Sequence, residues 1–166
     1  MKIRHGFVSN SSSSSFVVCF PKGFEVSEDN VKAAMFPAGD NTVHYYEYAI
    51  SVESIVKCVT REMLAQTPNN IDSIISTISE DHEYDDYPKY PQITRETTPE
   101  EMRAAWDKFD EEKKEYIDKQ LPGKKVEFEN FDVYSFSYSD NDGNFYCTME
   151  HGEIFSNLKH VRISHH

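Results

Sequence analysis

Apolar and polar positions alternate or cluster in distinct ways along this chain, and the pattern predicts a mixed set of elements. Met1–Val8 reads as a short strand, and Phe16–Phe20 (FVVCF) as a buried one, ended by Pro21 and Gly23. Ser27 is placed to cap a short helix over Glu28–Met35, which Phe36-Pro37 and Gly39 stop. Thr42–Ile50 (TVHYYEYAI) is aromatic and reads as one strand. Val52, Ile55, Val56, Val59, Met63 and Leu64 then recur at helical spacing behind Ser51, and Ile71, Ile74, Ile75 and Ile78 do so behind Asn70. Residues 80–97 break the pattern with Pro88, Pro91 and several acids, and read as a mobile acidic loop. Thr98-Pro99-Glu100-Glu101 is a capping box with proline at the first helical position. The helix it opens runs to about Gln120, with Met102, Ala105, Trp106, Phe109, Tyr116 and Ile117 as its apolar stripe, and Leu121-Pro122-Gly123 is its stop.

Past that stop the chain reads as strands. Val126–Phe131 and Val133–Ser139 alternate, and Asp142-Gly143 is a hairpin signal leading to a strand over Asn144–Glu150. Val161–Ser164 predicts a last short strand. Runs of strands separated from runs of helices predict an α+β fold. The expected architecture is a single domain over residues 1–166, a mostly antiparallel sheet with three or so helices on one face.

Composition narrows the function classes. A chain of 166 residues suits one domain and can bury roughly two-thirds of its unfolded surface. Its formal charge of −12 argues against contact with a nucleic-acid backbone as a general role, because such contact relies on Lys and Arg. Cys19, Cys58 and Cys147 are odd in number and widely spaced, which fits neither a disulfide framework nor a cysteine-rich zinc site and points to a reducing cytoplasm. No apolar run approaches the length of a membrane span, so neither export nor membrane insertion is expected.

One stretch carries a resemblance. Lys2-Ile3-Arg4 followed by Gly6-Phe7-Val8-Ser9-Asn10-Ser11-Ser12-Ser13-Ser14-Ser15-Phe16 resembles the N-terminal signature of a family of small uncharacterised bacteriophage and prophage proteins. Ser139-Asp140-Asn141-Asp142-Gly143, Glu150-His151-Gly152 and Ile163-Ser164-His165-His166 are similar to that family's tail. The resemblance implies a phage setting and, if phage-encoded, the host cytoplasm; it implies little chemistry.

Two constellations are candidates for chemistry. The serine run, read as a loop between strands, offers backbone N–H groups and hydroxyls to an anion; Arg4, Ser11, Ser12, Ser13 and Ser14 are its expected ligand-binding residues. A recognition tag and a plain surface loop are the competing readings. The second is C-terminal: four of the seven histidines fall between residues 151 and 166, with Asp140, Asp142 and Glu150 nearby. Imidazole with carboxylate suits zinc, manganese or iron. His151, His160, His165 and His166 are the expected metal ligands, and Glu150 and His151 the expected catalytic pair. A hairpin over 138–150 would keep the Asp142 turn far from Glu150, and adjacent Glu150 and His151 would face opposite sides of a strand.

The leading expectation is a phage-type accessory protein whose His/carboxylate site binds a metal or a phosphorylated small ligand, with hydrolysis as its chemistry. The alternative is a non-catalytic acidic protein that docks Glu80–Asp86 and the helix bearing Asp107, Asp110, Glu111 and Glu112 on a basic host surface. A minor virion component is the third reading.

Overall fold

The computed structural model describes residues 13–79 and 87–165. Among these, a three-stranded antiparallel sheet is built from β1 (Ser13–Pro21), β4 (Phe131–Ser139) and β5 (Lys159–His165), in the order β4-β1-β5. The first strand is thus central. Phe16 lies opposite Phe136 on one side and Arg162 on the other. Between β1 and β4 the chain forms α1 (Glu28–Met35), a hairpin of β2 (Thr42–Tyr45) and β3 (Tyr48–Ser51), α2 (Val52–Leu64), α3 (Ile71–Ser79) and α4 (Pro99–Phe128). A 3-10 turn (Asp140–Asp142) and α5 (Asn144–His151) follow β4. The α+β class is as the pattern predicts, with five α-helices rather than three among the described residues.

The helices lie on both faces of the sheet, not one. Side chains of successive strand residues alternate between faces. Phe16, Val18 and Phe20 enter one core with Val31, Met35, Ile55, Val59 and Met149, which come from α1, α2 and α5. Val17 and Cys19 enter a second core with Ile74, Ile78, Phe109, Tyr116 and Phe128, which come from α3 and α4. A central strand apolar on both faces is what FVVCF encodes, since it has no polar position to give to solvent.

Local capping signals translate directly. Ser27 accepts from the Asn30 amide and Ser51 from the Ser54 amide. Thr98 and Glu101 form the reciprocal capping box, which holds the Glu101 carboxyl below its ordinary value through the Thr98 backbone and side-chain hydrogen bonds.

Three element assignments are corrected. The aromatic segment at 42–50 is a hairpin, not one strand; Tyr46 turns at φ 49° and is exposed. α4 runs through Pro122 and Gly123 and absorbs Val126–Phe128, which alternation assigns to a strand. An interior proline costs about 3 kcal/mol of helix propensity, but Tyr116, Ile117, Leu121 and Phe128 pack into the second core on both sides of it. Residues 87–97 are irregular and largely exposed, but Tyr87 is buried edge-on to Tyr116, and the exposed Tyr90 stacks on Phe109 at 5.0 Å. Residues 80–86 lie outside the described residues, as does the strand expected at Met1–Val8. Finally, Asn144–Glu150 is helical. Gly143, at φ 99° and ψ 176°, redirects the chain from the 3-10 turn into α5 instead of closing a hairpin.

Candidate functional site

That last correction creates the site. As a strand, residues 144–150 would have carried Glu150 away from Asp140; as a helix, they fold it back. Asp140 in the 3-10 turn and Glu150 and His151 at the end of α5 each present one ligating atom, and these atoms all lie within 4.8 Å of one another. Opposite ligands of a metal ion bound at roughly 2.0–2.6 Å sit roughly 4–5 Å apart, so the three atoms span a single coordination sphere. Adjacent residues on a helix are offset by about 100°, not 180°. Glu150 and His151 therefore share the site, as they could not on a strand.

The sheet supplies the floor. Ser14 and Arg162 occupy the Phe16 face of β1 and β5, the face that α5 covers. Ser14 Oγ donates to Glu150 Oε1 at 3.0 Å and accepts from Arg162 Nε at 3.2 Å and Nη2 at 3.1 Å. Arg162 Nη2 also donates to His151 Nδ1 at 3.2 Å and lies 3.9 Å from Glu150 Oε1. His151 Nε2 is 3.5 Å from Glu150 Oε2. The guanidinium lies over the Phe16 ring, 5.7 Å from its centroid, while the His151 ring stacks on Tyr45 at 4.9 Å and 17°. Glu150 is only 2% exposed and Ser14 is fully buried. A buried carboxylate requires charge and hydrogen-bond compensation, and Arg162 with Ser14 provides it.

The α5 C-terminus is pressed against the hairpin. A Cβ on Gly152 would stand 2.5 Å from the Thr148 carbonyl oxygen and 2.9 Å from Val43 Cγ1. Gly152→Ala is expected to destabilise the protein by about 1–3 kcal/mol through this overpacking, read as a lowered urea midpoint, and to disturb the His151–Tyr45 stack.

Cys147 sits one turn before His151, yet it is poorly suited to nucleophilic work. Burial first, and then the negative charges of Asp140 and Glu150, hold its thiol above the ordinary value, and the thiolate is the reactive form. Burial likewise lifts the Cys19 and Cys58 thiols to about 11.

No family model, curated protein or solved structure matches the chain. The site is therefore read on its own chemistry.

The expected residues are distributed unevenly. Glu150, His151 and Ser14 meet in the network just described. Ser13–Ser15 begin the central strand, where their backbone pairs with residues 139–137 on one side and 165–163 on the other. That ladder leaves no converging N–H array for an anion nest at Ser13 and Ser14, and Ser14 takes part through its hydroxyl instead. His160 is turned to its own segment, with Nδ1 3.0 Å from the Leu158 carbonyl oxygen, and is not in the Asp140–Glu150–His151 group. His165 pairs by backbone with Ser13. Arg4, Ser11, Ser12 and His166 lie outside the described residues.

Arg162 and Tyr45 were missed. Arg162 carries a readable signal, a lone cation between Val161 and Ile163 in a strand, but which face it serves depends on a register that the sequence does not reveal. Among the described residues no helix is long and apolar enough to cross a membrane.

Proposed function

We propose that the protein binds a divalent metal ion through Asp140, Glu150 and His151, and holds a phosphorylated small ligand beside it. The observation that carries this reading is the convergence of three ligating atoms within 4.8 Å. Two carboxylates and an imidazole suit zinc, manganese or iron. Arg162 adjoins the group, and its guanidinium offers donors that a phosphate oxygen accepts, with Ser14 holding it in place. Hydrolysis of that ligand is the chemistry such a site would support: an ion held by Asp140, Glu150 and His151 would supply Lewis acidity, and a neighbouring carboxylate or imidazole would take the proton. The serine signature and the C-terminal tail support placing the protein among phage-type accessory proteins.

The test is metal content and titration on untagged protein. One zinc, manganese or iron ion per chain is expected by elemental mass spectrometry after loading. In the double variant Asp140→Asn/His151→Ala, calorimetric affinity for the ion is expected to fall by about a hundredfold or more, roughly 3 kcal/mol, with the circular dichroism unchanged. A chain that takes up none of the three ions at millimolar concentration overturns the reading.

A second reading, an acidic protein that docks on a basic partner, is supported by α4. Asp107, Asp110, Glu111 and Glu112 are all exposed there, and Met102 and Trp106 stand exposed on the preceding turns. Such docking would weaken steeply with salt.

A further inference from the structure

The hydrogen bonds around His151 constrain how an ion can enter the site. Arg carries only donors. Its Nη2, 3.2 Å from His151 Nδ1, therefore uses the Nδ1 lone pair, and the ring proton of the neutral imidazole is on Nε2. That nitrogen faces the Glu150 carboxylate at 3.5 Å, the right partner for an N–H. A metal ion needs a ring lone pair, and in this arrangement neither is open. Coordination at Nδ1 takes the place of Arg162. Coordination at Nε2 moves the ring proton to Nδ1, where it meets the Arg162 donor head-on. Either route breaks the Arg162–His151 bond.

The same guanidinium is the counter-charge of Glu150, 3.9 Å away. An arriving divalent cation takes over that duty as well, so both reasons for Arg162 to stay are removed together. We infer that Arg162 is a displaceable internal cation: it and the metal ion alternate on His151 and Glu150, and the guanidinium released by metal loading becomes the contact for the ligand's phosphate. This inference rests on the metal reading above and adds an order to it, metal first and anion second. The Arg162 side chain is 36% exposed and belongs to β5, an outer strand of the sheet, so it has a path outward.

Two measurements test the inference. In 15N-labelled wild-type protein, the His151 ring nitrogens and the Arg162 Nε–H resonance are followed while zinc is added. The expected result is an unprotonated Nδ1 before zinc, and a changed ring pattern with a shifted or exchange-broadened Arg162 Nε–H after it. Zinc uptake with the Arg162 resonance unmoved overturns the inference while leaving the metal site standing. Calorimetry on Arg162→Gln is the second measurement. The variant is expected to bind zinc about tenfold more tightly than wild type, the equivalent of one lost competing charged hydrogen bond, and to bind inorganic phosphate about tenfold more weakly in the presence of zinc. Wild type is expected to bind phosphate only when zinc is present. Equal or weaker zinc binding by a folded Arg162→Gln overturns the inference, and so does phosphate binding by wild type that is indifferent to zinc. Zinc uptake by neither protein overturns the metal reading itself, and this inference with it. Should Arg162→Gln fail to fold, the wild-type resonance titration decides alone.

Discussion

Glu150→Gln is expected to destabilise the protein by about 3–5 kcal/mol, the range for removing one member of a buried charged pair. The substitution keeps the size of the side chain and deletes its charge. Ser14 Oγ keeps an acceptor if the amide oxygen takes the Oε1 position. The amide nitrogen then faces the His151 Nε2 proton, donor against donor, and the Arg162 guanidinium is left beside a neutral group. Urea denaturation of wild type and variant without metal gives the number. A double-mutant cycle shows where it comes from: Glu150→Gln/Arg162→Gln is expected to be less destabilised than the two single changes summed, by about 1–3 kcal/mol, because the deletion of both charges leaves neither exposed to the low-dielectric interior. Strict additivity would mean that Arg162 does not compensate Glu150. Metal affinity is expected to fall as well, since Glu150 is the most deeply buried of the three ligands. Stability without metal and affinity for metal thus report two duties of one carboxylate.

How much of this site was legible depended on whether its residues are joined by local or long-range structure. The start of α4 was readable because its capping box is completed within four residues, and α1 and α2 because a serine stands before each apolar repeat. FVVCF announces a buried strand because no residue in it suits water, and its central place in the sheet follows from the pairing. The tail was not readable in the same way. Asn144–Glu150 alternates weakly, and an apolar run of that length satisfies a strand or a buried helix equally. Gly143 signalled a turn correctly, but its φ of 99° and ψ of 176° steer into α5 instead of a returning strand. A strand there separates Asp140 from Glu150 and sets His151 against its neighbour, which weakens a single site built from them. The floor of the site was beyond local signals altogether. Ser14 is 148 residues from Arg162 and 136 from Glu150, and their meeting depends on the β1–β5 register and on which face α5 covers. The serine run stands out by its composition, whereas among the described residues Ser14 reaches the site because its hydroxyl lies on the α5 side of the sheet. Of the histidines that the count singles out, His151 is in the converging group and His160 bonds its own loop.

A second polar cluster, far from the tail, holds the fold together in a pH-dependent way. Asp132 is 8% exposed at the start of β4. Its Oδ2 accepts from the Gly23 amide at 2.9 Å and the Phe24 amide at 3.2 Å, and its Oδ1 from Asn69 Nδ2 at 3.1 Å, with Lys22 Nζ 3.2 Å away. Asn69 Oδ1 in turn accepts from the Val133 amide. One carboxylate therefore ties the turn after β1, where Gly23 adopts φ 73°, to the loop before α3, where Asn69 adopts φ 61°. Burial by itself would raise the Asp132 pKa, but Lys22, Asn69 and the Gly23 amide outweigh it and hold the carboxyl below its ordinary 3.8. A folded-state pKa lower than the unfolded one means that the unfolded chain binds more protons between the two values. Stability from this group is therefore fully present above the unfolded value and is lost as pH falls through the folded one. Asp132→Ala is expected to cost about 2–4 kcal/mol at neutral pH, because two backbone amides and the Asn69 amide lose a charged acceptor in a nearly closed site. The variant's stability is also expected to fall less than that of wild type between about pH 5 and pH 2. Urea midpoints across that range test both parts: a difference that stays constant with pH would place the cost in lost packing and hydrogen bonds alone, whereas a gap that narrows toward acid assigns part of it to the Asp132 charge.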